Sequence, residues 1–269
     1  MKIDKLVFGI MLIFLVLMPF SLTKSDYNDL KNEEIIKIDS CQDIKSRGNY
    51  VLANDIKRVD LEPGACLTLH SNVKLDCLGK MVIGRHDIDM GGRPLVANQN
   101  NVIDLSGINV VGENVEINNC FVTKFNEGIR ADNGPSIING NRVTNSDIGI
   151  AIRDGATGRN IQVTNNELKK NRRGLYSRVS FINIENNRIF NNREIGLVSS
   201  QLFFIGLYDN IVCDSGFKDV AIFFQGTSPN YVMDAARNVF GSTQVREGGN
   251  RNFRIDEFLE LGRHYQACN

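Results

Sequence analysis

The chain has 269 residues, with 31 basic and 31 acidic side chains and a net charge of zero. This balance argues against nucleic acid and against anionic membrane surfaces as partners, because both select proteins with an excess of positive charge. With 42% hydrophobic residues the chain can fill a substantial core, and we expect a single domain.

The N-terminal residues 1–25 combine a short charged start with an apolar run from Leu6 to Phe20. Small residues after this run offer cleavage sites, and the run is short for a membrane-spanning helix. We therefore predict a cleaved signal peptide, with an uncleaved N-terminal membrane anchor as the alternative. The protein is then exported to the outside, the cell surface or a periplasm-like space. It contacts a membrane only through this segment, if the segment stays uncleaved.

Residues 26–40 are polar and charged, and we interpret them as a loose lead-in to the folded domain. After them, apolar and polar residues alternate, first at Leu67-x-Leu69 and Val73-x-Leu75. A period of two is typical of β-strands, whose successive side chains point to opposite sides. The folded domain is therefore predicted to be built from strands.

An insertion at residues 85–101, rich in glycine, asparagine and aspartate, separates these strands from the next unit. Asp87 and Asp89 in the insertion are candidate calcium ligands, because calcium prefers oxygen ligands on flexible loops. An ordinary polar loop is the competing interpretation. Apart from this calcium candidate we predict no cofactor.

The stretch from Asn114 to Phe223 repeats one short unit. A marker dipeptide recurs at intervals of 21 to 25 residues, and a second mark follows eight to ten residues later. The dipeptides are Asn119-Cys120, Gly140-Asn141, Asn165-Asn166, Asn186-Asn187 and Asp209-Asn210. The second marks are Gly128-Ile129, Gly149-Ile150, Gly174-Leu175, Gly196-Leu197 and a weaker Val220. A period near 22 residues with alternating apolar runs indicates stacked strands, because helical repeats are longer.

Each unit contains too few apolar residues to bury alone, so neighbouring units must stack as coils. Three short strands per coil would place equivalent residues of successive coils about 4.8 Å apart. Asparagine tolerates a left-handed turn, and stacked amides bond to each other, whereas glycine suits a corner without room for a Cβ. We predict an all-β parallel β-helix over residues 41–241, followed by a C-terminal cap at 242–269 with one short helix.

The start of the domain carries a recognisable pattern. It contains Cys41-x-x-Ile44, Gly48-Asn49-Tyr50-Val51-Leu52, Asp55-Ile56 and Asn72-Val73-x-Leu75-Asp76-Cys77-x-Gly79. This pattern resembles the NosD-like proteins of the pectate-lyase-like superfamily, which are right-handed parallel β-helices with short Asn- and Gly-marked coils. The resemblance, from Cys41 to Gly241, implies a right-handed β-helix but little chemistry, because the fold hosts lyases, epimerases, hydrolases and non-catalytic surface proteins. We do not carry over copper binding, because the three histidines are scattered in the sequence.

Alternation after each glycine mark predicts an outward face. Its columns are Arg130, Ala151, Tyr176 and Val198, and beside them Asp132, Arg153, Arg178 and Ser200. We define the arginine face as Arg130, Asp132, Arg153, Tyr176 and Arg178. Guanidinium groups suit the carboxylates of uronic acids, and a tyrosine ring suits the flat side of a sugar. The alternative is a solvated surface on which Asp132 and Arg153 neutralise each other.

Six cysteines in an exported chain predict disulfides. Cys41, Cys66 and Cys77 crowd the first coils, where the end of the β-helix must be fastened, so we predict a bridge between two of these three. The simpler interpretation of Cys120 and Cys213 is that they are small buried residues, which is common for cysteine.

We therefore predict an exported, non-catalytic protein of the cell surface or envelope that binds carbohydrate or partner proteins along a face of the β-helix. The alternative is a polysaccharide-processing enzyme, a lyase or epimerase acting on acidic polysaccharide. Such an enzyme needs a general base beside the charge-stabilising arginines, and the arginine face contains neither histidine nor lysine. The sequence leaves the oligomeric state open.

Overall fold

The computed structural model describes residues 34–58, 63–85, 105–153, 160–179, 181–200, 204–223, 232–241 and 243–246. Within these ranges the chain forms strands and no helix. In chain order the strands are β1 (Ile35–Ile38), β2 (Gln42–Ile44), β3 (Gly48–Leu52), β4 (Ile56–Lys57), β5 (Gly64–Leu69), β6 (Val73–Asp76), β7 (Met81–Ile83), β8 (Leu105–Val110), β9 (Val115–Asn118), β10 (Phe121–Thr123), β11 (Glu127–Ala131), β12 (Ser136–Asn139), β13 (Arg142–Thr144), β14 (Ile148–Ile152), β15 (Ile161–Thr164), β16 (Glu167–Lys169), β17 (Arg173–Ser177), β18 (Ile182–Glu185), β19 (Arg188–Phe190), β20 (Ile195–Ser200), β21 (Phe204–Tyr208), β22 (Ile211–Cys213), β23 (Lys218–Phe223), β24 (Val232–Ala236), β25 (Val239–Phe240) and β26 (Thr243–Arg246).

The strands form three sheets, which the chain visits in turn from β3 onward. Sheet I has the order β1-β3-β6-β9-β12-β15-β18-β21-β24. Sheet II has the order β2-β5-β8-β11-β14-β17-β20-β23-β26, and sheet III has the order β4-β7-β10-β13-β16-β19-β22-β25. Each strand pairs in parallel with the equivalent strand of the next coil, as β11 does with β14. This confirms the predicted all-β parallel β-helix.

The core lies between the three sheets and consists of side chains that repeat from coil to coil. In sheet I the register aligns Ile117, Ile138, Val163 and Ile184, and none of them has exposed surface. Burial of one such side chain contributes about 2 kcal/mol. Because successive side chains of a strand point to opposite sides, the residues between these core positions point outward. The core columns therefore also determine which residues form the outer faces.

Two neighbouring columns hold the turn after each sheet I strand. The first residue of the marker dipeptide has a left-handed backbone, with φ of 54° at both Asn119 and Asn186. The second residue is buried and bonds to the adjacent coils. The Asn166 amide donates to Asn187 Oδ1 at 3.0 Å and accepts from Asn141 at 3.1 Å. Both the turn and the amide ladder are present as predicted, but they belong to two columns rather than one.

The glycine column marks a second corner, where the backbones of successive coils come close together. A Cβ atom on Gly128 would lie 2.7 Å from the carbonyl oxygen of Gly149, and one on Gly149 would lie 2.5 Å from that of Gly174. Real Cβ atoms essentially never come within 3.0 Å of another atom. The predicted reason for glycine at this corner, the lack of room for a side chain, is confirmed.

The sheets continue past residues 41–241 at both ends. Strand β1 lies in the segment predicted as a loose lead-in, yet it pairs with β3 along its whole length. Strand β26 lies in the predicted cap region and pairs with β23. Strand β1 is an apolar run in the sequence, and its Ile38 is 1% exposed in the core, so the interpretation of this segment as a polar lead-in passed over a hydrophobic signal. Strand β26 pairs through main-chain N–H and C=O groups, which nearly every residue supplies.

Two disulfides fasten the first coils. Cys41 bonds to Cys66, which confirms the predicted bridge. Cys77 bonds to Cys120, so the interpretation of Cys120 as merely a small buried residue is wrong. These two residues lie on successive coils with their Cα atoms 4.7 Å apart, but the long insertion separates them in sequence. Cys213 is also disulfide-bonded, which corrects its interpretation as well.

Several predicted features lie outside the described residues. They are the N-terminal segment 1–25, the insertion with Asp87 and Asp89, and the short helix of the cap. In the ranges that the structure describes, no helix is long and apolar enough to cross a membrane. In the same ranges, no group of three or more His, Cys, Asp or Glu side chains is placed to hold a metal ion. Calcium at the two aspartates stays a prediction.

Candidate functional site

The strand register brings the residues of the arginine face together. Two columns run up successive coils of sheet II. Their members are Arg130, Ala151, Tyr176 and Val198 in the first column and Asp132, Arg153 and Arg178 in the second. The second column continues the ladder just past the strand ends, where the Arg153 amide donates to the Ala131 carbonyl at 2.9 Å. One carboxylate, three guanidinium groups and a phenol ring therefore share one side of three coils.

The arginine face is less open than alternation alone predicts. Ala151 has no exposed surface and Val198 is 5% exposed, although both point away from the core. Arg130 and Tyr176 are half-buried. Alternation determines to which side of a sheet a residue points, but not whether other parts of the protein cover that side. In the first column, therefore, only the long side chains of Arg130 and Tyr176 reach solvent, whereas Ala151 and Val198 are buried.

Arg130 and Asp132 form a closed ion pair. The Arg130 Nε atom lies 2.8 Å from each carboxylate oxygen of Asp132. The alternative interpretation of the sequence, in which Asp132 neutralises Arg153, is therefore wrong about the partner. Side chains two residues apart in extended backbone point to the same side, so Arg130 on β11 reaches Asp132 just past the end of that strand, within one coil.

A buried carboxylate outside the five predicted residues completes this face. Glu127 is 3% exposed and forms an ion pair with Arg153, and one of its oxygens lies 3.7 Å from Arg130 Nε. Its equivalents on the two neighbouring coils are Ser106 and Ile148. The sequence contains a signal for Glu127, because this acidic residue occupies a position that is isoleucine on the next coil. Buried charge requires a partner, and the arginines supply it.

Tyr176 provides the aromatic ring of the arginine face. The guanidinium carbon of Arg173 lies 5.9 Å from the centre of the Tyr176 ring, a distance at which a cation is attracted to the ring face. Arg173 covers one face of this ring, and a half-buried tyrosine held in this way loses little conformational entropy when a ligand packs against the rest of the ring.

A second set of aligned side chains lies on the outer surface of sheet III. We define the cationic face by these eight residues: Phe121, Arg142, Glu167 and Arg188 in one column, Lys169 and Phe190 in the next, and Lys124 and Lys170 at the adjoining corner. Alternation after the glycine marks does not predict this face, because the strands that follow those marks belong to sheet II. The short strands of sheet III have no such mark.

Cations cover both aromatic rings of the cationic face. The guanidinium carbon of Arg142 lies 5.0 Å from the centre of the Phe121 ring. Lys169 Nζ lies 5.4 Å, and the guanidinium carbon of Arg188 lies 5.7 Å, from the centre of the Phe190 ring. These distances lie within the range of cation–π attraction. The long basic side chains are therefore held in ordered rows on the sheet.

The two corner lysines have an uncommon backbone conformation. Lys124 and Lys170 have φ of 67° and 58°, whereas Asn145 and Asn191 occupy the same corner on neighbouring coils. All four side chains are exposed. A left-handed backbone costs lysine more than asparagine, whose short polar side chain bonds locally. Turn geometry therefore favours asparagine and does not account for lysine at these positions. An ion pair does not account for it either, because neither lysine forms one with any residue that the structure describes.

Glu167 is the carboxylate of the cationic face. Its Oε1 atom lies 2.7 Å from Lys169 Nζ and 3.1 Å from Arg142 Nε. Partial burial raises the pKa of this carboxyl group, but the hydrogen bond from Lys169 and the charges of Lys169, Arg142 and Arg188 outweigh it and hold the pKa below its usual range. The face therefore carries five cations against one ionised carboxylate.

The stacked coils, the asparagine ladder and the glycine corner agree with one known family. A family model described as the right-handed β-helix region matches residues 81–240. The chain belongs to this family. The right-handed β-helix assigned from the resemblance is thereby confirmed, whereas the match does not address the NosD-like subgroup.

Among solved structures, this β-helix is similar to the crystal structure of the Dettilon tailspike protein, with a TM-score of 0.55 and 12% sequence identity. The alignment covers 77% of this chain and 42% of the tailspike chain, so this chain spans less than half the length of that protein. At this identity the similarity shows the fold alone. No curated protein sequence matches the chain.

Proposed function

We propose that this right-handed β-helix protein binds carbohydrate without catalysis, outside the cytosol, and that the arginine face holds the sugar. The observation that carries the proposal is the arrangement around Tyr176. Its ring and the Arg130 side chain lie in one column, two coils or about 10 Å apart, with the small Ala151 between them. A sugar spanning this distance can stack on the ring and bond to the charged groups beside it.

The ion pairs of the arginine face favour an uncharged sugar. Arg130 and Arg153 already hold Asp132 and Glu127, so an acidic sugar would have to displace a carboxylate of the protein. Sugar hydroxyl groups avoid this conflict, because they accept hydrogen bonds from guanidinium and donate them to carboxylate. We therefore propose hydroxyl groups, rather than carboxylates, as the groups recognised at this face.

The same geometry supports binding over turnover. Hydrolysis of a glycosidic bond requires two carboxyl groups that flank the bond and reach the substrate. Glu127 is 3% exposed and held by Arg153, and Asp132 is held by Arg130. A lyase or epimerase requires a general base beside its arginines, and the arginine face has no residue suited to that role at neutral pH.

A location outside the cytosol is supported by the disulfides Cys41–Cys66 and Cys77–Cys120. Disulfides persist in oxidising compartments and are rare where glutathione keeps thiols reduced. The apolar N-terminal run gives a route for export, either as a signal peptide or as an anchor.

Screening of the protein on a glycan array, followed by calorimetry with the sugars that bind, tests this function. Tyr176→Ala should weaken binding of such a sugar about fivefold, because ring stacking contributes about 1 kcal/mol. Tyr176→Phe keeps the ring and should retain most of the affinity. Tyr208→Ala is the matched control, because it removes an outward tyrosine of sheet I and should change nothing.

Two results would overturn the proposal. Absence of any glycan signal, or equal effects of Tyr176→Ala and Tyr208→Ala, would mean that the arginine face is only a solvated sheet surface. Accumulation of unsaturated uronate from an acidic polysaccharide would instead establish the enzymatic alternative.

A further inference from the structure

We propose that the cationic face is a second binding surface and that its partner is an extended acidic polysaccharide. The carboxylate or sulfate groups of the polymer would lie along the axis of the β-helix. This surface shares no residue with the arginine face and belongs to a different sheet. The inference therefore does not depend on the function proposed for the arginine face.

The charge of the cationic face is not balanced locally. Glu167 is its one carboxylate, and it is bound by Lys169 and Arg142. Lys124, Lys170 and Arg188 form no ion pair with any residue in the described ranges. Among the eight residues of this face the cations exceed the carboxylate by four, and the exposed Asp214 continues the corner column one coil beyond Asn191. An anionic partner gains from all of these charges at once.

The spacing of the cations suits a polymer rather than a single ion. Arg142 and Arg188 lie in one column two coils apart, and Lys124 and Lys170 are also two coils apart at the adjoining corner. Each pair therefore spans about 10 Å along the axis, at about 4.8 Å per coil. Two parallel rows of charge at regular intervals match a chain that carries an anionic group on successive units.

The rings of this face favour polysaccharide over single-stranded nucleic acid. Recognition of nucleic acid without sequence preference depends on aromatic rings that are free to stack on bases. Here Arg142 lies over Phe121, and Lys169 and Arg188 lie over Phe190. The two described disulfides also point to an oxidising compartment outside the cytosol, where acidic polysaccharides are common anionic polymers.

The corner lysines provide a variant that preserves the fold. Lys124→Asn together with Lys170→Asn removes two unpaired charges and introduces the residue already present at Asn145 and Asn191. Because asparagine tolerates the left-handed backbone better than lysine, the double variant should fold at least as well as the unmodified protein. Lys45→Asn together with Lys74→Asn is the matched control, since these exposed lysines lie off sheet III and their loss changes the net charge equally.

The experiment measures binding of the full chain to dextran sulfate and polygalacturonate at low salt, with uncharged dextran and single-stranded DNA as comparison polymers. The corner variant should weaken binding of the acidic polysaccharides about fivefold, because two exposed charge contacts are lost. The control variant and Tyr176→Ala should leave this binding unchanged. Uncharged dextran should not bind to the cationic face.

Equal affinities of the unmodified protein and the corner variant, or equal losses in the corner and control variants, would overturn the proposal. Binding of single-stranded DNA that depends on the corner lysines, without binding of either acidic polysaccharide, would overturn the assigned partner. A third outcome separates the two proposals. If no sugar binds in a way that depends on Tyr176, but acidic polysaccharide binding still depends on the corner lysines, the proposed function is refuted and this inference stands.

Discussion

The two outer faces of this β-helix use similar residue types in different ways. On the arginine face, Arg130 holds Asp132 and Arg153 holds the buried Glu127. On the cationic face two of five cations bind the one half-exposed carboxylate, and three of the five lie over phenylalanine rings. The comparison shows that a row of arginines does not by itself make an anion site. The carboxylates within reach of the arginines decide whether their charge is available.

Burial explains why the two faces differ. Glu127 lies beside the close-packed glycine corner and is 3% exposed, so its charge must be paired for the coil to fold. Glu167 lies on the open side of a short strand, where water solvates the charges that remain unpaired. The arginine face therefore holds its charges as part of the structure, whereas most charges of the cationic face can be removed at little cost.

The largest expected effect is on stability, because removing the carboxylate of each face should lower the free energy of unfolding by different amounts. Glu127→Ala should lower the free energy of unfolding by about 2 kcal/mol, because it leaves Arg153 partly buried without a partner. Glu167→Ala should cost less than about 1 kcal/mol, as expected for an exposed pair. Urea unfolding followed by circular dichroism measures both. Equal losses would mean that the two carboxylates have the same structural role, and the comparison would fail.

The affinities of the two faces for their ligands should depend differently on salt concentration. Raising sodium chloride from about 50 to about 300 mM should weaken dextran sulfate binding about tenfold, because exposed charge contacts are screened. Binding that depends on Tyr176 should change less than about twofold, since ring stacking and hydroxyl contacts involve no net charge. Calorimetric titrations at four salt concentrations measure both dependences. Identical slopes would show that one face binds both ligands.

The smallest expected effect concerns Glu167 itself. Glu167→Gln removes the carboxylate from the cationic face and should tighten dextran sulfate binding about twofold at neutral pH. Because the folded-state pKa of Glu167 lies below its unfolded value, its ion pairs stabilise the fold above the unfolded pKa and lose that effect as pH falls through the folded pKa. The unmodified protein should therefore approach the affinity of the variant in that acidic range, while the sulfates stay ionised. A constant ratio of affinities from neutral to acidic pH would contradict this account.

Periodicity in the sequence was sufficient to predict the coils and the direction of the side chains in the strands that follow the glycine marks. The marker asparagines and glycines predicted the turn ladder and the close corner, and alternation placed Arg130 and Tyr176 in one outward column. These features could be predicted because a stacked repeat relates each residue to its equivalent about one unit away, so local pattern and tertiary contact coincide. A bridge between two of Cys41, Cys66 and Cys77 was predicted because these cysteines crowd the first coils, and the structure shows it between Cys41 and Cys66.

Other features depended on contacts that no periodic pattern encodes. The insertion separates Cys77 and Cys120 in sequence, although the two residues lie on successive coils. Strands β1 and β26 extend the sheets past the predicted residues 41–241. By itself, the sequence determined the repeat, the coil register and the inward or outward direction of the side chains. Only the tertiary structure decided that the carboxylate of Glu127 pairs with Arg153 and that the sheet III cations keep most of their charge free. The physical reason is that periodicity specifies the side of a sheet, whereas burial and ion pairing depend on what that side contacts in three dimensions.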